Sequence, residues 1–222
     1  MIGFASGLIS VPLLSLFMPV QDAVTIVMLF QLAMGLLAVK TRKQIMWDHI
    51  RALLPGMVIG VILGVFALKY IQADTMRLIL AGYLILHLLR THTRFDPLKK
   101  PMQWGGAAIS GFAGGAINAM IGGGGPAFIP YLKDKCHNHG VFRANLNAIL
   151  VISNIPRLAG AIGTGMLHAD LLILSLYAVP AFILAMVIGQ YLHDKVPQRF
   201  FFIAVDVVLI CTIVSLLLKV AL

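Results

Sequence analysis

Long apolar runs alternate with short polar punctuation along this chain. The runs cover about 2–17, 22–39, 50–71, 75–90, 104–133, 141–163, 170–192 and 198–218, and polar residues cluster at 40–44, 91–103, 133–140 and 193–198. Runs of this length without strand-like alternation predict membrane helices. The run 104–133 is interrupted by Gly122, Gly123, Gly124 and Gly125, followed by Pro126. Four glycines cost a helix roughly 3–4 kcal/mol relative to alanine, so this run predicts a break, with Pro126 at the first position of the helix that follows. The longest hydrophilic stretch separates two halves, giving a first repeat at 1–90, a polar loop at 91–103 and a second repeat at 104–222.

The halves resemble each other. Ile9-Ser-Val-Pro12-Leu-Leu matches Ala127-Phe-Ile-Pro130-Tyr-Leu, which sets Gly3 to Gly7 on Ile121 to Gly125. Gly56, Gly60 and Gly64 follow Pro55 at four-residue spacing, and Ala181, Ala185 and Gly189 follow Pro180 in the same register. Such ladders put small residues on one helix face, where two backbones can approach closely. Small residues are common in membrane helices, but the shared proline register favours a duplication. The second half has a helix-length run, 104–120, before its glycines. The first has almost nothing before Gly3, so the first repeat is expected to be short at its N-terminus.

Composition agrees with the pattern. The chain is 60% hydrophobic and 11% charged, with mean hydropathy +0.96. These values exclude a soluble globular domain, and no ten-residue alternation supports a β-barrel. The net charge of +9 is spread over loops, which argues against nucleic-acid binding and for one membrane face rich in Lys and Arg. If all eight runs cross, Lys and Arg other than Arg157, which lies inside its run, divide nine against seven between the faces. If each glycine element enters and leaves on the same side, the division is thirteen against three, with only Lys69, Arg77 and Lys219 in the minority. The second division is preferred. It gives three crossings per half, and an odd number requires the two halves to be inverted. Both chain ends then face outward. Eight plain crossings are the competing arrangement.

The candidate chemistry is sparse. The broken helix should present unpaired N–H groups of Gly122 to Gly125 and a positive dipole end to a buried anion. Close helix packing is the alternative use of these glycines. Arg157 sits well inside its run, where an arginine in hydrocarbon costs at least ~2.5 kcal/mol, so it should face protein or a water-filled cavity. Asn147, Asn154 and Thr164 share its helix face, and Pro156 frees a carbonyl one turn back. An arginine flanked by amides can clamp an oxyanion, or can bond structurally to carbonyls of a neighbouring broken helix. Asn118 lies one turn before the glycines and serves either the same cavity or an interhelical hydrogen bond. Ser6, Gly7 and Gln31 are the corresponding lining of the first half. Asp206, the sole carboxylate deep in a run, is either a proton-coupling group or a polar anchor. Cys136-His137-Asn138-His139 has no second ligand cluster, so no metal and no cofactor are expected. Cys136 and Cys211 are expected to be free thiols. No nucleophile–base–orienter set is visible, which disfavours an enzyme.

Gly3-Phe-Ala-Ser-Gly-Leu-Ile-Ser-Val-Pro-Leu-Leu resembles the first-repeat motif of the sulfite exporter TauE/SafE family of membrane permeases. Gly111-Phe-Ala-Gly-Gly-Ala-Ile-Asn-Ala-Met-Ile-Gly-Gly-Gly-Gly-Pro, ending in Ile-Pro-Tyr131-Leu, resembles the second. Asn154-Ile-Pro-Arg157 and Pro55-Gly-Met-Val-Ile-Gly60 resemble later helices of the same family. The resemblance implies transport of sulfite, sulfonates or related sulfur oxyanions, and a prokaryotic inner membrane. The expectation is therefore an all-α integral membrane protein of two inverted repeats, moving a small anion by alternating access. Its partners would be that anion and the lipid bilayer, and a homodimer is among the assemblies this permits. A passive anion channel and a non-transporting membrane subunit are the alternatives. Substrate binding falls to Gly122, Gly123, Gly124, Gly125, Arg157, Asn118, Asn147, Asn154, Ser6 and Gly7, with Asp206 as the proton-coupling group.

Overall fold

The computed structural model describes residues 4–37, 44–92, 106–136, 138–195 and 198–221. Gly3, most of the loop 91–103 and the side chain of Ser6 lie outside the described residues, as does the surround of Gly189. Among the described residues the chain forms nine helices and no strand. They are α1 (Phe4–Leu14), α2 (Val20–Leu37), α3 (Trp47–Tyr70), α4 (Ala73–His92), α5 (Gly106–Ile121), α6 (Gly125–Lys135), α7 (His139–Gly163), α8 (Ala169–Lys195) and α9 (Gln198–Ala221).

The outward faces are apolar as well as the inward ones. Ile59, Leu63 and Phe66 on α3, Leu176, Tyr177 and Leu184 on α8, and Val207, Ile210 and Val214 on α9 are all exposed. Helices that are apolar all round belong in a bilayer. By length and composition, α3 and residues Gly140–Gly163 can cross one. The 11 residues of α1 and of α6 span only about 16 Å each, against the ~30 Å of a hydrocarbon core.

Glycine sets the packing. Helices α3 and α5 run parallel with backbones in contact: a Cβ added to Gly56 would lie 2.1 Å from the Ala108 carbonyl oxygen, and one on Gly60 2.1 Å from that of Phe112. The chain then breaks at Gly122–Gly124 and α6 turns back along α5, setting the Phe128 ring against Gly114. Two apolar clusters result. One joins α3, α5, α6 and α7 through Met57, Ala119, Phe128 and Ile149. The other joins α1, α2, α4 and α9 through Val11, Val24, Leu80 and Leu209. In lipid, burial supplies little drive between helices, so close packing and hydrogen bonds must hold these seams.

Hydrogen bonds fix which helix ends lie together. At one end the starts of α3 and α7 meet the end of α6. Asn145 Oδ1 accepts from the Met46 N–H at 2.8 Å and its Nδ2 donates to the Gln44 carbonyl at 3.2 Å, while the Tyr131 hydroxyl lies 3.4 Å from His49 Nδ1. Cys136, 3.9 Å from the Met46 sulfur, lies in the same corner, and partial burial pushes its thiol pKa up. At the other end Lys69 Nζ donates to the Thr164 carbonyl at 2.6 Å, Gln21 Nε2 to that of Ile71 at 3.4 Å, and Lys219 Nζ to that of Leu16. Arg51, Arg90, Lys133, Lys135 and Arg143 belong to the first end, and Lys69, Arg77 and Lys219 to the second. Helix α1 starts in the centre, where Gly7 meets Gly122, and runs to the second end; α6 starts at the same centre and runs to the first.

Asn145 is a structural clamp that its neighbour Asn147 is not. Its side chain also donates to the Val141 carbonyl at 2.8 Å. Asn145→Ala strands a part-buried N–H and carbonyl of the 44–46 segment. The expected cost is ~1–3 kcal/mol, read as a lower thermal unfolding midpoint with unchanged ligand affinity.

Candidate functional site

The break between α5 and α6 is built from conformation, not only from weak helix propensity. Gly122 has φ +73°, a left-handed geometry that glycine adopts without penalty. Its N–H still closes the last turn of α5 on the Asn118 carbonyl at 2.9 Å, so it is not available to a ligand, contrary to expectation. The N–H groups of Gly123, Gly124 and Gly125 have no hydrogen-bond partner among the described residues. Pro126 occupies the second position of α6, since Gly125 is the first and Gly124 the cap. A proline there removes one N–H from a first turn whose donors have no intrahelical acceptor.

The carbonyls of the break turn the other way. That of Gly122 accepts from Gln31 Nε2 of α2 at 3.0 Å, and that of Gly123 accepts from the Tyr83 hydroxyl of α4. Gly7 of α1 packs directly on this point: a Cβ there would lie 2.1 Å from the Gly122 oxygen and 2.2 Å from Gln31 Nε2. The glycine segments of the two halves thus meet, with Gln31 beside them.

Arg157 reaches the same place from α7. It is 2% exposed, and its Nη2 lies 3.8 Å from where a Gly122 Cβ would be. Nη1 donates to Asn154 Oδ1 at 3.2 Å and Nη2 to the Val24 carbonyl of α2 at 3.0 Å. A guanidinium carries five N–H donors, so most of them remain for another acceptor. Asn118 Nδ2 bridges to Ser153 Oγ at 2.9 Å and to Asn154 Oδ1 at 3.1 Å. Among the described residues no carboxylate pairs with Arg157. The outcome is a fully buried positive charge held by neutral groups beside three unpartnered N–H donors. Such a site is short of one negative charge and rich in donors, which is the chemistry of anion binding.

Of the residues singled out from sequence, Gly122 to Gly125, Arg157, Asn118, Asn154 and Gly7 come together here. Asn147 is half-buried, and no hydrogen bond joins it to Arg157 among the described residues. Thr164 caps the far end of α7. Asp206 lies 3.1 Å from His92 Nε2 at the last turn of α4, with its side chain 19% exposed. Tyr83, which touches the break, is nine residues from His92, about 13 Å along the helix. Ser153 and Tyr83 join the site without a sequence signal; a serine or tyrosine in an apolar run carries no periodicity of its own.

The sequence matches the model of the sulfite exporter TauE/SafE family over residues 1–216. It is 25% identical over 176 residues to a "Probable sulfite/organosulfonate exporter TauE" of Cupriavidus necator, covering 78% of this chain and 69% of that protein. It is equally 25% identical over 176 residues to a "Probable inner membrane transporter protein TsaS" of Comamonas testosteroni, covering 78% of this chain and 73% of that one. No solved structure matches it. The chain belongs to the TauE/SafE family and is a membrane permease.

Proposed function

We propose that this protein carries a small sulfur oxyanion, sulfite or an organosulfonate, across a prokaryotic inner membrane by alternating access, with the anion held at the Gly122–Gly125 break. The observation that carries the reading is the uncompensated Arg157 beside the unpartnered N–H groups of Gly123, Gly124 and Gly125. The class of anion comes from the names of the relatives. Two inverted halves supply the moving parts. In support, α1 and α6 leave the centre in opposite directions, and Arg51, Arg90, Lys133, Lys135 and Arg143 lie at the end where α6 and α4 finish, against Lys69, Arg77 and Lys219 at the other. Near-complete burial of the cluster favours a carrier with an occluded site over a continuous pore.

Transport in proteoliposomes tests this. Sulfite flux is expected to saturate and to show counterflow when sulfite is loaded on the trans side. Flux that is linear in concentration and indifferent to trans substrate would replace the carrier with a channel.

A further inference from the structure

If the break is the anion site of the proposed function, its hydrogen-bond pattern restricts more than the charge of the ligand. Arg157 can only donate, so the Asn154 atom facing it is Oδ1. That oxygen also faces the Asn118 side chain, so the Asn118 atom there is Nδ2. Ser153 agrees with this, because its hydroxyl donates to the Leu150 carbonyl and leaves Oγ to accept from Asn118. The Gly122 carbonyl can only accept, which fixes Gln31 Nε2 toward it. Each amide is thereby held in one orientation, and its other end is left over.

The leftover atoms are of both kinds. Asn118 Oδ1, Gln31 Oε1 and Asn154 Nδ2 are buried without a partner among the described residues. Asn118 and Asn154 are 0% and 1% exposed. Asn118 adjoins the break, where a Cβ on Gly124 would lie 2.5 Å from Asn118 Cβ, and Asn154 is bonded to both Asn118 and Arg157. The free donors, Asn154 Nδ2, the three glycine N–H groups and the spare N–H groups of Arg157, suit an oxyanion. The free acceptors, Asn118 Oδ1 and Gln31 Oε1, do not. An anion that offers only acceptors, such as sulfate, leaves both oxygens facing negative charge. A metal cation satisfies the oxygens but faces Arg157. An oxyanion that brings its own O–H or N–H satisfies both sets.

We infer that the site selects oxyanions bearing a hydrogen-bond donor, either the protonated monoanion of a titratable oxyanion or a sulfonate with a hydroxyl or amino group. Fully deprotonated or donor-free anions of the same size bind worse. Specificity of this kind arises because a site built to hydrogen-bond a substrate group leaves its own buried atoms unpaired when that group is missing.

A matched pair at one pH tests it, which removes titration of Arg157 and Tyr83, the ionisable groups that touch the break, from the comparison. Hydroxyethanesulfonate and propanesulfonate have the same charge and nearly the same shape, and differ by a hydroxyl for a methyl. Calorimetric titration of the purified protein should show hydroxyethanesulfonate binding at least about tenfold tighter, against the order of hydrophobicity. Gln31→Met, which removes one free acceptor together with the bond to the Gly122 carbonyl, should shrink that ratio. Equal affinities in the unaltered protein, or tighter propanesulfonate, overturn the inference and leave the anion site standing. If neither sulfonate binds, and neither sulfite nor sulfate does, the anion site itself is overturned.

Discussion

Arg157→Gln is expected to abolish anion-dependent thermal stabilisation and to reduce sulfite transport at least ~100-fold while the protein still folds and inserts. The side chain is fully buried, and its two partners are neutral: Asn154 Oδ1 and the Val24 carbonyl. Losing one member of a buried, hydrogen-bonded charge pair costs ~2–5 kcal/mol, and a hundredfold is about 2.7 kcal/mol. Among the described residues the charge has no counter-ion, so removing it should harm binding far more than folding. Arg157→Met sharpens the contrast. The Val24 carbonyl is in mid-helix and keeps its bond within α2, so an apolar side chain there relieves the desolvation of an unpaired cation. Arg157→Met is therefore expected to raise the unfolding midpoint while losing every response to anions. Arg157→Lys should fall between, since an ammonium keeps the charge but cannot span two partners with one planar fork. If Arg157→Gln strongly lowers the midpoint yet leaves anion affinity intact, Arg157 is a bolt between α2 and α7 and the site lies elsewhere.

How much of this was legible in the sequence divides along physical lines. Helix positions were, because each depends on local hydropathy and punctuation: the run at 50–71 became Trp47–Tyr70 and that at 141–163 became His139–Gly163. The broken helix was legible for the same reason, since four glycines and a proline are a local cost. Asn118, Asn154 and Arg157 were found because polar groups in an apolar run must be satisfied somewhere. What escaped depends on contacts between distant parts of the chain. Gln31 and Gly122 are 91 residues apart, and nothing in either segment says that α1 delivers Gly7 onto the Gly122 carbonyl. Helical periodicity chose Asn147 as a companion of Arg157. Yet it is Asn145, buried against the 44–46 segment, whose side chain is fully engaged. Periodicity reports a face of α7, not which neighbour covers each turn of it. The loss of the Gly122 N–H to the last turn of α5 was likewise invisible, because where a helix stops within a glycine run depends on the packing around it.

Gly60→Val is expected to destabilise the protein by about 3 kcal/mol or more. A Cβ at Gly60 would sit 2.1 Å from the Phe112 carbonyl oxygen and 2.9 Å from its carbon. The obstacle is backbone, so no side chain can rotate away. The helices must separate, and the seam is shared by Gly56, Gly64, Gly111 and Gly115, each with a backbone atom of the other helix inside 3.0 Å of its missing Cβ. Separation at Gly60 therefore loosens van der Waals contact over several turns, in a setting where such contact is a main source of helix association. The damage should also reach the site, because α5 carries Asn118 in its last turn. Weaker anion binding should accompany the lower midpoint, unlike in Asn145→Ala. Gly82→Ala is the control for glycine in general. It lies inside α4 with nothing within 4 Å of a new Cβ, so the substitution should add up to ~1 kcal/mol through helix propensity alone. Thermal unfolding of the three variants in one detergent decides the matter. A Gly60→Val protein as stable as its parent would mean that α3 and α5 do not meet backbone to backbone, and the positioning of Asn118 through that seam would fall with it.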